Sequence, residues 1–288
     1  MRDRDTYKAS REKLNTLVEP IENELKADVL WYCGSINDNM RTRLPFEVEK
    51  LTEKKLHDNL AFFLTTNGGS AEVAEQVVQI IRHHYGTVYF IIPDHAMSAG
   101  TMIALSGDRM YMKYTSVLGP IDPQVPSKGN GNWVSALGYL DKTNELIERS
   151  KQNNLTQAEL SWLLDQDMGF LSHCEQASVL AQQLVQDWLY TYKFKTWLTH
   201  STNKKEVTIK EKKKRAKEIV EKLANNKHWH SHSRMINMKT LQNELKILVE
   251  NYEDSALLKT NIANYHDLLM DCMQLHGGSN WFHSRVSF

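Results

Sequence analysis

Three groups of residues in this chain have types and spacings suited to chemistry. "TTNGGS", residues 65–70, puts Gly68 and Gly69 next to each other. Glycines let the backbone pass close to a ligand and leave amide protons free to donate. "DHAMSAGTMIALSG", residues 94–107, sets Ser98 between an apolar β-branched run ending at Ile92 and a run of small and apolar residues beginning at Ala99. Serine at a strand-to-helix junction is a preferred helix cap. The same hydroxyl would also serve as a nucleophile if backbone amides, those of Gly69 and Ala99, converged to hold a developing oxyanion. Locally the residues leave cap and nucleophile both open. The third group is "HWHSHS", with His228, His230 and His232 at alternate positions. It has no clear carboxylate or cysteine partner for a metal site, and no metal ligand is assigned.

The elements that must position these groups follow from hydrophobic pattern. "DVLWYC" (28–33), "LAFFLT" (60–65) and "TVYFII" (87–92) are short apolar runs bounded by polar or turn residues, as in buried parallel strands. Between the last two, Val73, Val77, Ile80 and Ile81 recur at helical spacing and Gly86 follows as a stop, which makes a β-α-β unit. Both the glycine pair and Ser98 then fall at the carboxyl ends of strands, the edge where open α/β sheets bind ligands. "RMYM" continues the sheet, and "VLGPIDPQV" is irregular because of its prolines and glycine. After "SKGNGN", residues 127–132, long amphipathic stretches dominate and no β-branched run recurs.

Composition sets the limits on function. The 288 residues carry 35 Lys plus Arg and 35 Asp plus Glu, so no global charge steers the chain to nucleic acid or an anionic membrane. The lysine run at 210–217 is broken by Glu211 and Glu218, lacks interleaved aromatics, and reads as a solvated helix face. Cys33, Cys174 and Cys272 are odd in number and widely spaced, as expected of reduced thiols in a cytoplasmic protein. No signal peptide or membrane-spanning run is expected. No GxGxxG or GxxxxGK[ST] string supports a nucleotide cofactor, and none is assigned.

"AMSAGTMIALSGDRMYMKYTSVLGPIDPQ", with "TTNGGSAEVAEQVV" upstream and "FLSHCEQASVLAQQLVQDWLYTYKF" downstream, resembles the serine dehydrogenase proteinase family. That family is a branch of the Clp-protease and crotonase superfamily related to signal-peptide-peptidase A. The likeness runs from about residue 28 to about residue 250, with "HSHSRMI" a fainter part of it. It implies an α/β crotonase-like β-β-α superhelix with a helical carboxyl-terminal half. It divides the chain into a helical lead-in (1–27), a core with the Ser98 elbow (28–132), a helical extension of the same domain (133–250) and a terminal helix and tail (251–288). It further implies Ser98 as nucleophile, the amides of Gly69 and Ala99 as oxyanion donors, and association into trimers or larger rings.

The proton acceptor is the open question. Where Clp-type proteases carry a histidine, this chain has Asp122, inside "GPIDPQ", read as a structural turn, an orienting group or a substrate contact. Gly68 is likewise read as structural or substrate-contacting. Signal-peptide-peptidase relatives use a lysine, and Lys142 and Lys151 fall in the matching interval; Lys142 shares a helix face with Tyr139 and Leu146 and is the candidate base. Lys113, Lys128 and His95 are further possibilities. The expected function is an ATP-independent serine peptidase acting on peptides or unfolded protein, with a Ser-Lys pair. The alternatives are a catalytically weak binding or scaffold protein on the same fold, or a crotonase acting on acyl-coenzyme A.

Overall fold

The apolar runs form the centre of one sheet. The computed structural model describes residues 2–126, 133–200 and 204–287. β1 (Ala27–Gly34), β2 (Asn59–Thr65), β3 (Thr87–Ile92) and β5 (Arg109–Met112) pair in parallel, with Trp31 opposite Phe63 and Phe62 opposite Phe90. The short β4 (His95–Ala96) leaves this sheet to pair with β6 (Val117–Leu118). Connecting helices are α2 (Asp38–Glu53), α3 (Ala71–His84) and α4 (Ala99–Leu105); α1 (Arg2–Leu25) precedes β1.

Alternation along each strand decides which layer a side chain joins. Leu30, Tyr32, Leu60, Phe62 and Leu64 face a core shared with α2, α3 and α4. Val29, Trp31, Cys33, Ala61 and Phe63 face the opposite layer, made by α1 and the long α11 (Ala256–His276). Trp31, Phe62 and Phe63 are wholly buried, and each such side chain contributes about 1.5–3 kcal/mol on leaving water. A sheet sealed on both faces offers ligands only its strand ends.

The second half is helical: α5 (Ala136–Lys151), α6 (Gln157–Leu164), α7 (Met168–Trp188), α8 (Ile209–Leu223), the short α9 (Asn226–Trp229) and α10 (Met238–Asn243). The amphipathic run from 160 to 194 breaks into two helices because Asp167 caps α7, accepting from the Gly169 and Phe170 amides. Ile219, Val220 and Leu223 of the lysine-rich α8 are buried, and its lysines point outward. The junction at 127–132 lies outside the described residues.

The chain also forms strands that its sequence pattern does not announce. β7 (Gln124–Pro126) pairs with β8 (Trp133–Ser135), β9 (Ile236–Asn237) pairs with β6, β10 (Glu250–Asn251) extends the sheet beside β5, and β11 (Asn280–His283) closes the other edge against β1. The main sheet therefore runs β10-β5-β3-β2-β1-β11, with only β11 antiparallel. Elements of two to four residues are too short to show an alternation of their own, and an existing strand edge supplies their pairing.

Candidate active site

The glycine turn and the serine elbow are joined through Thr66, the first residue after β2. Its amide donates to His95 O (3.0 Å), and its carbonyl accepts from the Met97 amide (2.9 Å). Its hydroxyl accepts from the Gly68 amide (3.0 Å). On its other side the turn pairs with the chain after β1: Ile36 N donates to Gly68 O and Ser70 N donates to Ile36 O, each at 2.9 Å. The Gly69 amide is skipped by this ladder and donates to no described residue.

Only glycine fits these two positions. Gly69 has φ +154°, and a Cβ there would stand 2.0 Å from Ile36 O. Gly68 has φ +107°, and a Cβ there would stand 2.8 Å from Ser98 Cβ. The second distance shows how closely the turn passes the serine.

Ser98 is not acting as a cap. It has φ +52° and ψ −116°, and its side chain makes no capping hydrogen bond. A non-glycine residue in this region costs about 1–3 kcal/mol and persists where the surroundings over-determine it. A serine on such a strand-to-helix elbow presents its Oγ outward from the turn. The following amide, Ala99 N, also has no hydrogen-bond partner among the described residues, whereas Gly100 N is tied back to Met97 O at 2.8 Å. Gly69 and Ala99, whose amides have no partner among the described residues, line the same cavity as Ser98.

These groups line a cavity of ≈ 750 Å³. Apolar side chains from α4 and α7, including Met102, Leu180 and Ala181, form part of its wall, and Asn67, Glu72 and His173 add polar groups. Glu72 is held below the usual carboxylate range chiefly by the Ser70 hydroxyl, which donates to it.

His232 also lines this cavity. Its Nδ1 lies 2.9 Å from Oδ1 of Asp122, whose side chain is 2% exposed. Two contacts bring these distant residues together. The Ile121 amide donates to Leu223 O at the end of α8 (3.1 Å), and buried Trp229 donates through Nε1 to Lys222 O (2.7 Å). The "GPIDP" loop and the segment after α9 are therefore both moored to the last turn of α8. An imidazole that donates from Nδ1 to a carboxylate keeps Nε2 as a proton acceptor. Ser98 Oγ makes no hydrogen bond to any described residue, His232 included.

The candidate lysines stand elsewhere. Lys142, on α5, is 56% exposed and pairs with Glu145 at 2.9 Å; Lys151 pairs with Glu148 at 2.6 Å. Neither lines the cavity, and nor does Lys113 or His95, whose Nδ1 is 2.9 Å from Asp94. The structure does not bring Lys142 to Ser98: the Tyr139 and Leu146 face does not cover its ammonium. Lys128 lies outside the described residues. The histidine triplet diverges: His228 faces Glu244 at 3.5 Å, His230 closes α9 at φ +60°, and His232 turns to Asp122. Among the described residues no group of three or more His, Cys, Asp or Glu is placed to hold a metal. His232 had no signal in the sequence as a proton acceptor, because its partner is 110 residues away.

Residues 51–149 match the family model described as ClpP-like SDH-type serine proteinase. That segment contains Gly68, Gly69, Ser98, Ala99, Asp122 and Lys142, and His232 lies beyond it. The resemblance read from the sequence is thus to this family, and the matched part of the α/β core is ClpP-like. Two uncharacterized proteins of Methanocaldococcus jannaschii are each 42% identical over 60 residues, which is 21% of this chain and 20% and 21% of theirs. The chain spans about a fifth of the length of these curated relatives. Similar solved structures include a serine-to-alanine variant of the 1510-N membrane-bound stomatin-specific protease, at 18% identity and TM-score 0.33 over 55% of this chain and 68% of that one. A lysine-to-alanine variant of that protease in complex with a substrate peptide gives 18% identity and TM-score 0.32, covering 55% and 64%. The ClpP protease catalytic domain from Plasmodium falciparum gives 15% identity and TM-score 0.29, covering 32% and 53%.

Proposed function

We propose that this chain is an ATP-independent serine peptidase acting on peptides or unfolded protein, with Ser98 as nucleophile and His232, oriented by Asp122, as its base. The observation that carries the reading is one cavity shared by a serine on a strained elbow and a histidine bonded to a buried aspartate. The free amides of Gly69 and Ala99 support it.

In this reading Ser98 Oγ attacks the substrate carbonyl carbon and its proton passes to His232 Nε2. Negative charge moves to the carbonyl oxygen, where the Gly69 and Ala99 amides stabilise it. His232 then gives the proton to the departing amine, and water releases the acyl group by the same steps. Asp122 holds the ring and offsets the positive charge it gains. Hydrogen bonds between such groups are often long without substrate and tighten when it arrives. A lysine base, in contrast, must be desolvated to be neutral near pH 7, and Lys142 is solvated and ion-paired.

Association of copies into a trimer or larger ring belongs to the same proposal, and the exposed Leu164, Met168 and Val179 of α6 and α7 support it. So does a cytoplasmic location, supported by three buried, unpaired cysteines. No helix among the described residues is long and apolar enough to cross a membrane.

Labelling by a fluorophosphonate probe tests the assignment. The native chain should label; Ser98→Ala should not; His232→Gln should slow labelling by about 100-fold or more; and Lys142→Ala should leave it unchanged. A folded native chain that neither labels nor cuts unfolded protein would leave the scaffold alternative standing.

A further inference from the structure

Thr101 sits in the first turn of α4 with no exposed surface. Its hydroxyl is not spent on its own helix. It donates to Ala96 O at 2.7 Å, with Gly119 O at 3.0 Å as a second acceptor, and it accepts from the Gly119 amide at 2.9 Å. Ala96 is on the entry to the serine elbow, two residues before Ser98. Gly119 begins the "GPIDP" loop that ends in Asp122 and Pro123.

One side chain therefore bridges the two segments that carry the nucleophile and the aspartate. Pro120 and Pro123 each fix one backbone angle of the loop, so anchoring Gly119 also limits where Asp122 stands. The backbone ladder through Thr66 joins the elbow to the glycine turn but does not reach this loop. β4 and β6 pair beside the elbow, but that ladder ends at Leu118. Thr101 is what continues the connection one residue further.

We propose that Thr101 is a positioning residue that sets the register between the Ser98 elbow and the Asp122–His232 pair. It touches no substrate and acts through Gly119 and Ala96. The proposal rests on the reading of Ser98 as nucleophile. Loss of the hydroxyl lets the loop and elbow drift apart, and errors of about 1 Å in such geometry cost up to about a hundredfold in rate.

The test compares native, Thr101→Val, Thr101→Ser and Thr101→Ala chains in fluorophosphonate labelling, with thermal unfolding followed in parallel. Thr101→Val should lower the first-order labelling rate constant at saturating probe by about tenfold to a hundredfold, with little change in the half-saturating probe concentration and with the final labelled fraction unchanged; loss of folded protein would instead lower that fraction and leave the rate constant as it is. Thr101→Ser, which keeps the hydroxyl, should stay within about threefold of native. If Thr101→Val does not fold, the Ser and Ala variants decide: equal maximal rates for those two overturn the proposal, and a slow Ala beside a near-native Ser supports it. A native chain that does not label refutes the nucleophile reading and this proposal together. A native chain that labels, with a folded Thr101→Val that labels equally fast, refutes this proposal alone.

Discussion

Replacing Asp122 by asparagine removes one charge and almost nothing else. Asparagine has the shape of aspartate, and its side-chain oxygen can still accept the Nδ1 proton of His232, so the resting geometry survives. What changes is the energy of the imidazolium that forms when Ser98 gives up its proton. At the observed 2.9 Å, a carboxylate and an imidazolium attract by about 5–6 kcal/mol at an effective dielectric of about 20. His232 keeps about a fifth of its side chain in solvent, and the asparagine dipole replaces part of the attraction. About half of the energy, some 3 kcal/mol, should then be lost from the transition state, which is about a hundredfold in rate. The assay is the second-order rate of fluorophosphonate labelling, together with hydrolysis of an unfolded fluorescent protein, for native, Asp122→Asn and Lys142→Ala chains at pH 7.5. Thermal unfolding of each variant shows that the fold is intact. An Asp122→Asn chain within about threefold of native, or a Lys142→Ala chain that loses activity, would refute the reasoning and return the base to a lysine.

Other outcomes follow from the same geometry. Ser98→Ala should abolish labelling at little cost in stability, since the hydroxyl makes no hydrogen bond to any described residue. Ser98→Gly should be more stable than Ser98→Ala by about 1 kcal/mol, because it releases the strain at φ +52° against the extra freedom of an unfolded glycine; equal melting temperatures would contradict that strain. Gly69→Ala should destabilise the fold by about 3 kcal/mol and eliminate labelling, since its Cβ would stand 2.0 Å from Ile36 O; denaturant titration checks the first and probe labelling the second. The fold should also weaken in acid. Burial pushes His283, whose Nδ1 meets the Tyr265 hydroxyl at 2.7 Å, down to about 3. Between its ordinary value and about 3 the unfolded chain binds a proton that the native chain does not. The stability present above pH 6.5 is therefore lost as pH falls, by up to about 1.4 kcal/mol per unit. Urea titrations from pH 7 to pH 4 should show a shallower slope for His283→Gln, and an unchanged slope would count against this burial effect.

Legibility in the sequence tracked distance along the chain. Four of the five parallel strands were readable because each is a local apolar run with turn residues at its ends, and β1, β2, β3 and β5 begin and end within a residue or so of those runs. α3 was readable from its spacing, and α8 as a solvated lysine-rich helix whose Ile219, Val220 and Leu223 form its buried face. β10 and β11 were not, because Glu250, Asn251 and the four residues Asn280–His283 have no pattern apart from the edges they join. The tail "LHGGSNWFHSRVSF" has no local pattern either, yet its Arg285 pairs with buried Asp28 at 3.1 Å and ties the tail to the start of the sheet.

The site divides along the same line. Order along the chain by itself determined that a glycine pair and a serine follow successive strands of one β-α-β unit, and parallel pairing obliges both to emerge at the same sheet edge. Whether that serine caps a helix was decided only by the tertiary structure, because φ +52° at Ser98 is no local preference of serine and occurs in an elbow that Thr66 holds through His95 and Met97. The partner of Asp122 was decided there too. Lys142 is nearer in sequence, but α5 turns its ammonium to solvent, whereas the last turn of α8 holds both the "GPIDP" loop and the segment carrying His232. A contact across 110 residues depends on how helices pack, and packing is a property of the folded chain as a whole.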